Sequence, residues 1–240
     1  MADPFGHAIH DHYHGTRSEP LVQRDGEQRL DHPIEAFYFE PYEAGDDPWL
    51  ETWLDGPLLD MGAGAGRHVR YFQSRFETVG IEHSEPLVET MRDRGVEDAR
   101  LADMFVLRDS FEADRFGSAL AYGTQLGLAR SMAGLRTFLA DLAYVTTRDG
   151  TAVLDCYDPT QAATEELLGY RSDPTPGLAY RLFQFEYDGV LGRPLLFRLF
   201  SPDRVREATT GTGWTVVDVD HGDGDTAHYR IALEKRGSSD

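Results

Sequence analysis

The sequence predicts an α/β fold built on a mostly parallel β-sheet, and two patterns carry this prediction. From Gly56 onward, short apolar runs alternate with segments whose apolar residues recur at helical spacing, which is typical of repeated βαβ units. The last third instead alternates apolar and polar residues around turn-forming pairs, which predicts antiparallel strands. With 240 residues, the chain is long enough for one large α/β domain with additions.

Each strand of the parallel sheet is predicted from a short apolar run. The predicted strands cover residues 57–61, 78–82, 99–102, 118–122 and 152–154. Helices are predicted between them from apolar residues at helical spacing. Ser84 is a candidate N-cap for the helix after the second strand, which stops near Gly95. A longer helix precedes the fifth strand, and Gly150 is its candidate terminator.

The C-terminal third predicts a small antiparallel insertion and two closing strands. Two alternating runs are separated by the turn pair Asp188-Gly189, so we predict a β insertion at about residues 178–200. A helix and two strands, at 214–219 and 229–233, follow the insertion. These two strands are expected to pair antiparallel, because the segment between them is too short for a helical crossover.

The first 55 residues differ in composition from the rest of the chain. They are rich in proline, glycine, histidine and acidic residues, but they contain aromatic clusters that carry large burial energies. We therefore predict an N-terminal flap or helical extension over residues 1–55, which ends in a short helix, and a main domain over residues 56–240. No metal site is predicted, because a mobile tail offers ligands without fixed geometry. This applies to His7, His10, His12 and His14.

The composition excludes several classes of protein. No apolar run approaches the roughly 20 residues that a bilayer crossing requires, so no membrane-spanning segment is predicted. The N-terminal residues show no basic segment followed by an apolar one, and we expect a cytoplasmic location. Cys156 is the single cysteine, which excludes an intrachain disulfide and a cysteine-clustered metal site.

The chain is strongly acidic, with 42 Asp and Glu against 23 Lys and Arg and a formal net charge of −19. Such a surface repels phosphate backbones and anionic lipid, so the sequence disfavours nucleic acid and membranes as partners. Lys235 is the single lysine, and this bias resembles proteins of haloarchaea. In molar salt the Debye length falls to about 3 Å, so the acidity has an alternative explanation in habitat.

The informative motif joins the first predicted strand to its helix and reads Leu58-Leu59-Asp60-Met61-Gly62-Ala63-Gly64-Ala65-Gly66-Arg67. Glycines at alternate positions let the backbone turn sharply and approach a ligand, while the helix N-terminus presents free N–H groups. A dinucleotide fingerprint would require glycine where Arg67 stands. A phosphate-binding P-loop is excluded because no Gly-Lys-Ser or Gly-Lys-Thr follows.

This acidic-x-G-x-G-x-G motif resembles motif I of class I S-adenosylmethionine-dependent methyltransferases. Glu82 ends the second strand, where this family has an acid that binds both ribose hydroxyls, and a carboxylate suits a diol because it accepts two hydrogen bonds. Asp103 follows the third strand, where the family has a contact to the adenine amino group. The resemblance covers residues 56–158. It implies a Rossmann-like three-layer sandwich with a mostly parallel seven-stranded sheet and an antiparallel last strand.

The resemblance also implies a cofactor, S-adenosyl-L-methionine, with S-adenosyl-L-homocysteine as its product. The implied cofactor-binding residues are Asp60, Gly62, Ala63, Gly64, Glu82, His83, Asp103, Met104, Tyr122 and Gly123. It names no catalytic residue, since a sulfonium is an activated leaving group and alignment supplies most of the rate. A small-molecule acceptor is favoured, because residues 122–125 lack the Asn/Asp-Pro-Pro-Tyr signature of base-amino methyltransferases.

Several alternatives stay open at this stage. An RNA methyltransferase and a non-catalytic S-adenosylmethionine-binding protein are the competing functions, and the expected state is a monomer or a homodimer. Tyr13, Tyr38 and Tyr42 either cover the bound cofactor, as flaps do in small-molecule members of the family, or pack the flap onto the domain. Asp155 ends the fifth strand and either orients a substrate or caps the strand.

Overall fold

The computed structural model describes residues 2–222 and 227–235, which form two sheets and the helices around them. The α-helices are α1 (Pro4–Tyr13), α2 (Pro48–Trp53), α3 (Arg67–Phe72), α4 (Glu85–Asp93), α5 (Met132–Val145) and α6 (Pro202–Thr209). The strands are β1 (Val22–Asp25), β2 (Gln28–Asp31), β3 (Leu58–Met61), β4 (Thr78–Glu82), β5 (Ala99–Leu101), β6 (Phe116–Ala121), β7 (Thr146–Tyr157), β8 (Tyr170–Ser172), β9 (Leu178–Tyr187), β10 (Val190–Leu191), β11 (Leu195–Phe200), β12 (Trp214–Asp220) and β13 (His228–Lys235). A π-helical turn covers Glu35–Phe39, and 3₁₀ turns cover Met104–Asp109, Gln125–Ala129 and Ala162–Glu166.

The main sheet has seven strands in the order β12-β13-β7-β6-β3-β4-β5. Strands β3, β4, β5, β6 and β7 pair in parallel, whereas β13 runs antiparallel to both of its neighbours. The predicted Rossmann-like α/β fold, with its seven-stranded sheet and antiparallel last strand, is confirmed. The chain moves outward from β3 to β5 and then returns to β6 on the other side of β3. Ligands bind at such a reversal of strand order in open α/β sheets.

Several local predictions are confirmed and one is wrong. Strand β4 has its predicted bounds, and the Ser84 hydroxyl accepts a hydrogen bond from the Leu87 N–H at the start of α4. Gly150 does not end α5, because the chain already becomes extended at the β-branched Thr146 and Gly150 lies inside β7. A Cβ at Gly150 would lie 2.3 Å from Cγ2 of Thr146, so this irregular start of the strand requires a glycine.

The predicted antiparallel insertion is present, as β9 pairs with β11 along residues 178–183 and 195–200. It belongs to a second sheet, in which β8, β10 and β1 also pair with β9, and β2 pairs with β1. The hairpin β1–β2 comes from the N-terminal segment and is not among the predicted elements, although Asp25-Gly26 at its turn is a pair typical of hairpins. These strands are short and polar, so no apolar alternation marks them.

The N-terminal segment is packed onto both sheets. Asp3 caps α1 by accepting from the Gly6 N–H (2.9 Å), and it also accepts from the Ser84 hydroxyl (2.5 Å) at the start of α4. Near the other end of α1, Tyr187 of β9 donates to Asp11 (2.9 Å). The expectation of a mobile histidine-rich tail is therefore wrong, because α1 buries its apolar side against α4 and β9.

Two histidines at the C-terminal end of α1 lie beside carboxylates of neighbouring elements. His12 Nε2 lies 2.6 Å from a Glu35 oxygen, and His14 Nε2 lies 3.2 Å from an Asp93 oxygen. Within residues 2–222 and 227–235, no group of three or more His, Cys, Asp and Glu side chains is arranged to hold a metal ion. None of the helices in this part of the chain has the length and apolar character to cross a membrane.

Gly66 allows α3 to pack against its neighbours, and its substitution should cost stability. Its φ is +78°, and a Cβ there would lie 2.8 Å from Val96 and 3.1 Å from Met91, both buried. Gly66→Ala should lower the free energy of unfolding by about 2 to 4 kcal/mol, from left-handed strain and overpacking together.

The control is Gly211, which has a φ of +80° and would have nothing within 4 Å of an added Cβ. Gly211→Ala should therefore lose only the strain, about 1 to 2 kcal/mol, in urea unfolding. Equal losses in the two variants would contradict this packing role.

Candidate functional site

A cleft of about 1400 Å³ opens at the carboxyl ends of β3, β4, β5 and β6, where the strand order reverses. The second sheet and the N-terminal segment contribute the opposite wall. Every site residue implied by the sequence lines this one cleft: Asp60, Gly62, Ala63, Gly64, Glu82, His83, Asp103, Met104, Tyr122 and Gly123. The parallel register of the sheet brings them together, because the ends of parallel strands meet at one edge.

The glycine-rich turn after β3 forms one wall of the cleft with its bare backbone. Gly62 and Gly64 have φ values of +69° and +59°, which side-chain-bearing residues rarely adopt. A Cβ at Gly62 would lie 2.7 Å from the Gln125 side chain, and one at Gly64 would lie 3.0 Å from the Tyr38 ring. The turn thus leaves no room for side chains at Gly62 and Gly64, because the Gln125 and Tyr38 side chains already lie against it.

The Glu82 carboxylate binds this turn to the end of β4. Its Oε1 accepts from the Gly64 N–H (3.0 Å), and its Oε2 accepts from the His83 N–H (2.8 Å). Burial raises the pKa of Glu82 to about 7, although these backbone hydrogen bonds favour the charged form. Because each carboxylate oxygen has a second lone pair, Glu82 can still accept hydrogen bonds from a ligand.

Asp60 is a buried acid with an unsatisfied atom. It is 2% exposed, and its Oδ2 makes no hydrogen bond to any residue that the structure describes. Burial, and then the nearby Glu82 carboxylate, raise the pKa of Asp60 well above its usual range. A buried unsatisfied acceptor costs about 1 to 3 kcal/mol, which a hydrogen-bond donor or a cation in the cleft would recover.

The other implied residues lie along the same edge of the sheet. Asp103 caps the 3₁₀ turn after β5 by accepting from the Phe105 N–H (2.9 Å), and Met104 is buried behind it. Tyr122 and Gly123 follow β6, and Gly123 has a φ of +97°. His83 is exposed at the mouth of the cleft beside Glu82.

Asp155 of β7 caps the end of the neighbouring parallel strand, β6. It is fully buried and accepts from the N–H groups of Gly123 (2.9 Å) and Thr124 (2.6 Å). Its Oδ2 also lies 2.8 Å from Nε2 of His228, the first residue of β13. The sequence did not point to His228, since its position beside Asp155 depends on the pairing of β13 with β7.

The three flap tyrosines have different roles. Tyr38 lines the cleft against Gly64, and its hydroxyl lies 2.9 Å from His32 Nε2. Tyr13 donates to the carbonyl of Asp93 in α4 (2.9 Å). Tyr42 is buried in the cluster around α3, so Tyr13 and Tyr42 pack the flap onto the domain.

Arg94 joins the flap to the glycine-rich turn. Its Nη1 donates to the carbonyls of Tyr38 (2.7 Å) and Ala65 (2.6 Å), and its guanidinium lies 4.6 Å from the centre of the Phe39 ring. Burial lowers the pKa of Arg94 to about 10. Nothing in the sequence points to this contact, because arginine near the end of a helix is ordinary.

Comparisons with known proteins give the class of fold. A scan against models of protein families finds no match, and a search of curated proteins finds none. Among solved structures, an S-adenosylmethionine-dependent methyltransferase from Bacteroides fragilis, in complex with S-adenosyl-L-homocysteine, matches with a TM-score of 0.78 and 22% identity, over 98% of this chain and 95% of that one.

Two further structures match a smaller part of the chain. A 1,6-didemethyltoxoflavin N1-methyltransferase from Burkholderia thailandensis has a TM-score of 0.52 and 19% identity, over 75% of this chain and 70% of that one. A sugar N-methyltransferase from a Streptoalloteichus species has a TM-score of 0.55 and 16% identity, over 75% and 79%. At these identities the likeness establishes the fold, which is that of class I S-adenosylmethionine-dependent methyltransferases.

The capping role of Asp155 can be tested by its stability contribution. Asp155→Ala should lower the free energy of unfolding by about 2 to 5 kcal/mol, because it leaves the Gly123 and Thr124 N–H groups without their charged acceptor. Asp155→Asn keeps one acceptor oxygen and should lose less. Urea unfolding of both variants measures the difference. A loss below about 0.5 kcal/mol for the alanine variant, the usual size of a surface effect, would show that the cap is dispensable.

Proposed function

We propose that this protein transfers a methyl group from S-adenosylmethionine to a small-molecule acceptor by in-line displacement. The observation that carries the proposal is the Glu82 carboxylate, which is bonded to the Gly64 N–H of a side-chain-free turn at the strand-order reversal. The fold and the complex of the Bacteroides protein with S-adenosylhomocysteine support this assignment.

The residues of the cleft fit this cofactor. Glu82 would accept hydrogen bonds from the ribose hydroxyls, and Asp103 would accept one from the adenine amino group. The turn at Gly62–Gly64 would present its backbone to the ligand, since both glycines line the cleft and carry no side chain. Asp60 would supply negative charge beside the cationic end of the ligand, where its Oδ2 has no partner among the described residues.

The protein's own contribution to the reaction would be alignment and the exclusion of water. The cofactor supplies a methyl group on an activated sulfonium leaving group. Holding the acceptor atom in near-attack geometry can lower the barrier by about 7 to 11 kcal/mol. Tyr38, which lies against the glycine-rich turn, and the aromatic side chains of β9 line the cleft, and these apolar surfaces would help to exclude water from the nucleophile.

The shape of the cleft supports a small acceptor. Its volume of about 1400 Å³ exceeds the roughly 300 to 1,000 Å³ of a typical ligand pocket, so a cofactor and a small molecule fit together. We divide the chain into the flap over residues 1–55, which supplies part of the roof, and a methyltransferase domain over residues 56–240. The toxoflavin and sugar methyltransferases among the structural matches also favour small acceptors.

The lysine-poor, acidic composition supports a haloarchaeal origin, and a cytoplasmic location remains our expectation. The tests are therefore run in both low and molar KCl. Labelled S-adenosylmethionine is incubated with the protein and with either a metabolite extract or total RNA. Label in small metabolites supports the proposal. Label in RNA alone would favour an RNA methyltransferase, and cofactor binding without any transfer would favour a non-catalytic binding protein. Ultracentrifugation distinguishes between the two expected states, a monomer and a homodimer.

Glu82→Gln should weaken cofactor binding while leaving the protein folded. A hydrogen bond to a charged group is worth about 1.5 to 3 kcal/mol, so calorimetry should show at least about tenfold weaker binding of S-adenosylhomocysteine. Glu112 is exposed and lies outside the cleft, so Glu112→Gln is the matched control and should bind normally. Unchanged affinity in Glu82→Gln would remove Glu82 from the binding site.

Cofactor binding should weaken as the pH falls below neutrality. The pKa of Glu82 in the free protein is about 7, and hydrogen bonds from a ligand would stabilise its charged form and lower that pKa. The Glu82 contribution to the affinity should therefore be constant above about pH 8 and fall by up to about tenfold per pH unit below pH 7. Asp60 acts in the same direction at higher pH, because its pKa is raised to about 8 in the free protein, so the measured affinity levels off only above that pH. Calorimetry in buffers of different ionisation enthalpy should detect proton release on binding, and pH-independent affinity would contradict this linkage.

A further inference from the structure

Arg181 is a cation in an otherwise aromatic row of side chains. Residues of β9 alternate between its two faces, and Arg181, Phe183, Phe185 and Tyr187 share the inner face, each no more than 9% exposed. Strands β8 and β11 pair with β9 on either side of Arg181, so no sheet edge brings it to the surface. Arg181, Phe183 and Phe185 line the cleft.

Arg181 has neutral partners only, among the residues that the structure describes. Its Nε donates to the carbonyl of Leu168 (2.9 Å), and its Nη2 donates to Oε1 of Gln23 (3.0 Å). No described Asp or Glu side chain lies within 4 Å of its guanidinium nitrogens. By contrast, the partly buried Arg198 and Arg230 both have carboxylate partners. A guanidinium has five N–H donors, and these two hydrogen bonds leave Nη1 unused.

The neighbours of Arg181 do not neutralise its charge. Because a guanidinium only donates, Gln23 must turn its oxygen toward Arg181, and its Nε2 then donates to His32 Nδ1 (2.9 Å). Burial, together with the charge of Arg181, lowers the pKa of His32 to about 4. His32 is therefore neutral at pH 7, with its proton on Nε2 and directed at the Tyr38 hydroxyl oxygen (2.9 Å). This neutral chain joins Arg181 to Tyr38, whose ring lies against Gly64.

Aromatic rings surround this cation. The Arg181 guanidinium lies 4.8 Å from the centre of the Phe183 ring, which stacks on Phe197 at 5.4 Å. Phe5 lies 4.7 Å from Phe185, and both line the cleft. Phe37 also lines the cleft and is 55% exposed, an unusual exposure for a large apolar side chain. The space beside Arg181 therefore suits a planar, apolar ring.

We propose that the methyl acceptor is an anionic ring compound, whose carboxylate or phosphate group binds Arg181 and whose ring lies among these phenylalanines. The anion would accept hydrogen bonds from Nη1 and neutralise a buried charge that has no acidic partner in the described part of the chain. This inference rests on the proposed function, since methyl transfer defines the acceptor. In this proposal, Arg181 binds the acceptor and sets its position in the cleft.

The test uses four probes on the full chain saturated with S-adenosylhomocysteine: benzoate, phenyl phosphate, benzamide and acetate. Calorimetry at millimolar concentrations should show that benzoate or phenyl phosphate binds at least about tenfold more tightly than benzamide. The better of the two anions identifies the acidic group. Acetate should bind more weakly than benzoate, because it lacks the ring. Equal binding of benzamide and the better anion, or no saturable binding of either anion, overturns the proposal.

Substitution of the arginine separates its charge from its packing. Arg181→Gln should lose at least about tenfold of the anion affinity and keep benzamide affinity within about twofold, because the lost bond is to a charged group. Arg181→Lys keeps the charge and should retain part of the anion preference, which also gives a readout if the glutamine variant does not fold. Arg206 is exposed on α6, outside the cleft, so Arg206→Gln is the control and should bind normally. An unchanged anion preference in Arg181→Gln overturns the proposal.

Failure of this inference can be distinguished from failure of the proposed function. If wild-type protein does not bind S-adenosylhomocysteine, the proposed function fails, and the comparison of anions with benzamide is made without it. If S-adenosylhomocysteine binds and the anions show no preference over benzamide, only the acceptor class is wrong.

Discussion

The hydrogen bond from the Gly64 N–H to the Glu82 carboxylate is the interaction around which the cleft is organised. It requires a left-handed turn after β3, so that the amide faces the end of β4, and it requires a carboxylate at the last position of β4. Arg94 holds the same turn from the other side through the carbonyl of Ala65, and Tyr38 lies against Gly64. The turn is therefore fixed before any ligand arrives, which reduces the ordering cost of binding.

The wall opposite this turn is built from two parts of the chain that are far apart in sequence. Strands β1 and β2 come from the N-terminal segment, and they extend the sheet formed by β8 to β11. Asp3 and Asp11, at the two ends of α1, bind Ser84 of the main domain and Tyr187 of β9. Helix α1 thus connects both sheets, and the shape of the cleft depends on contacts that no single segment encodes.

This distribution explains what the sequence could predict. The strand, turn and helix around Asp60 are local, and both their periodicity and their glycines are visible in one stretch of residues. Glu82 and Asp103 could be placed because each ends a short buried strand. Arg94, Arg181 and His228 could not, since their contacts arise from the packing of distant segments. One signal was present for Arg181, because the alternation of Phe183 and Phe185 extends back to it and puts a charge on an apolar face.

In the proposed function, acidic groups and Arg181 lie on opposite walls of the cleft. Asp60, Glu82 and Asp103 lie at the sheet edge, and Arg181 lies on β9. A cationic cofactor beside the acids and an anionic acceptor beside Arg181 would each lie next to a group of complementary charge. The neutral state of His32 is necessary to this arrangement. A protonated His32 would carry a proton on Nδ1 and would need a hydrogen-bond acceptor there. Gln23 could offer its side-chain oxygen to Nδ1 only by rotating its amide. Its NH₂ group would then face the Arg181 guanidinium, which is also a donor. Burial, and then the charge of Arg181, lower the pKa of His32 to about 4 and keep it neutral, which preserves the hydrogen bond that holds Tyr38 against the glycine-rich turn.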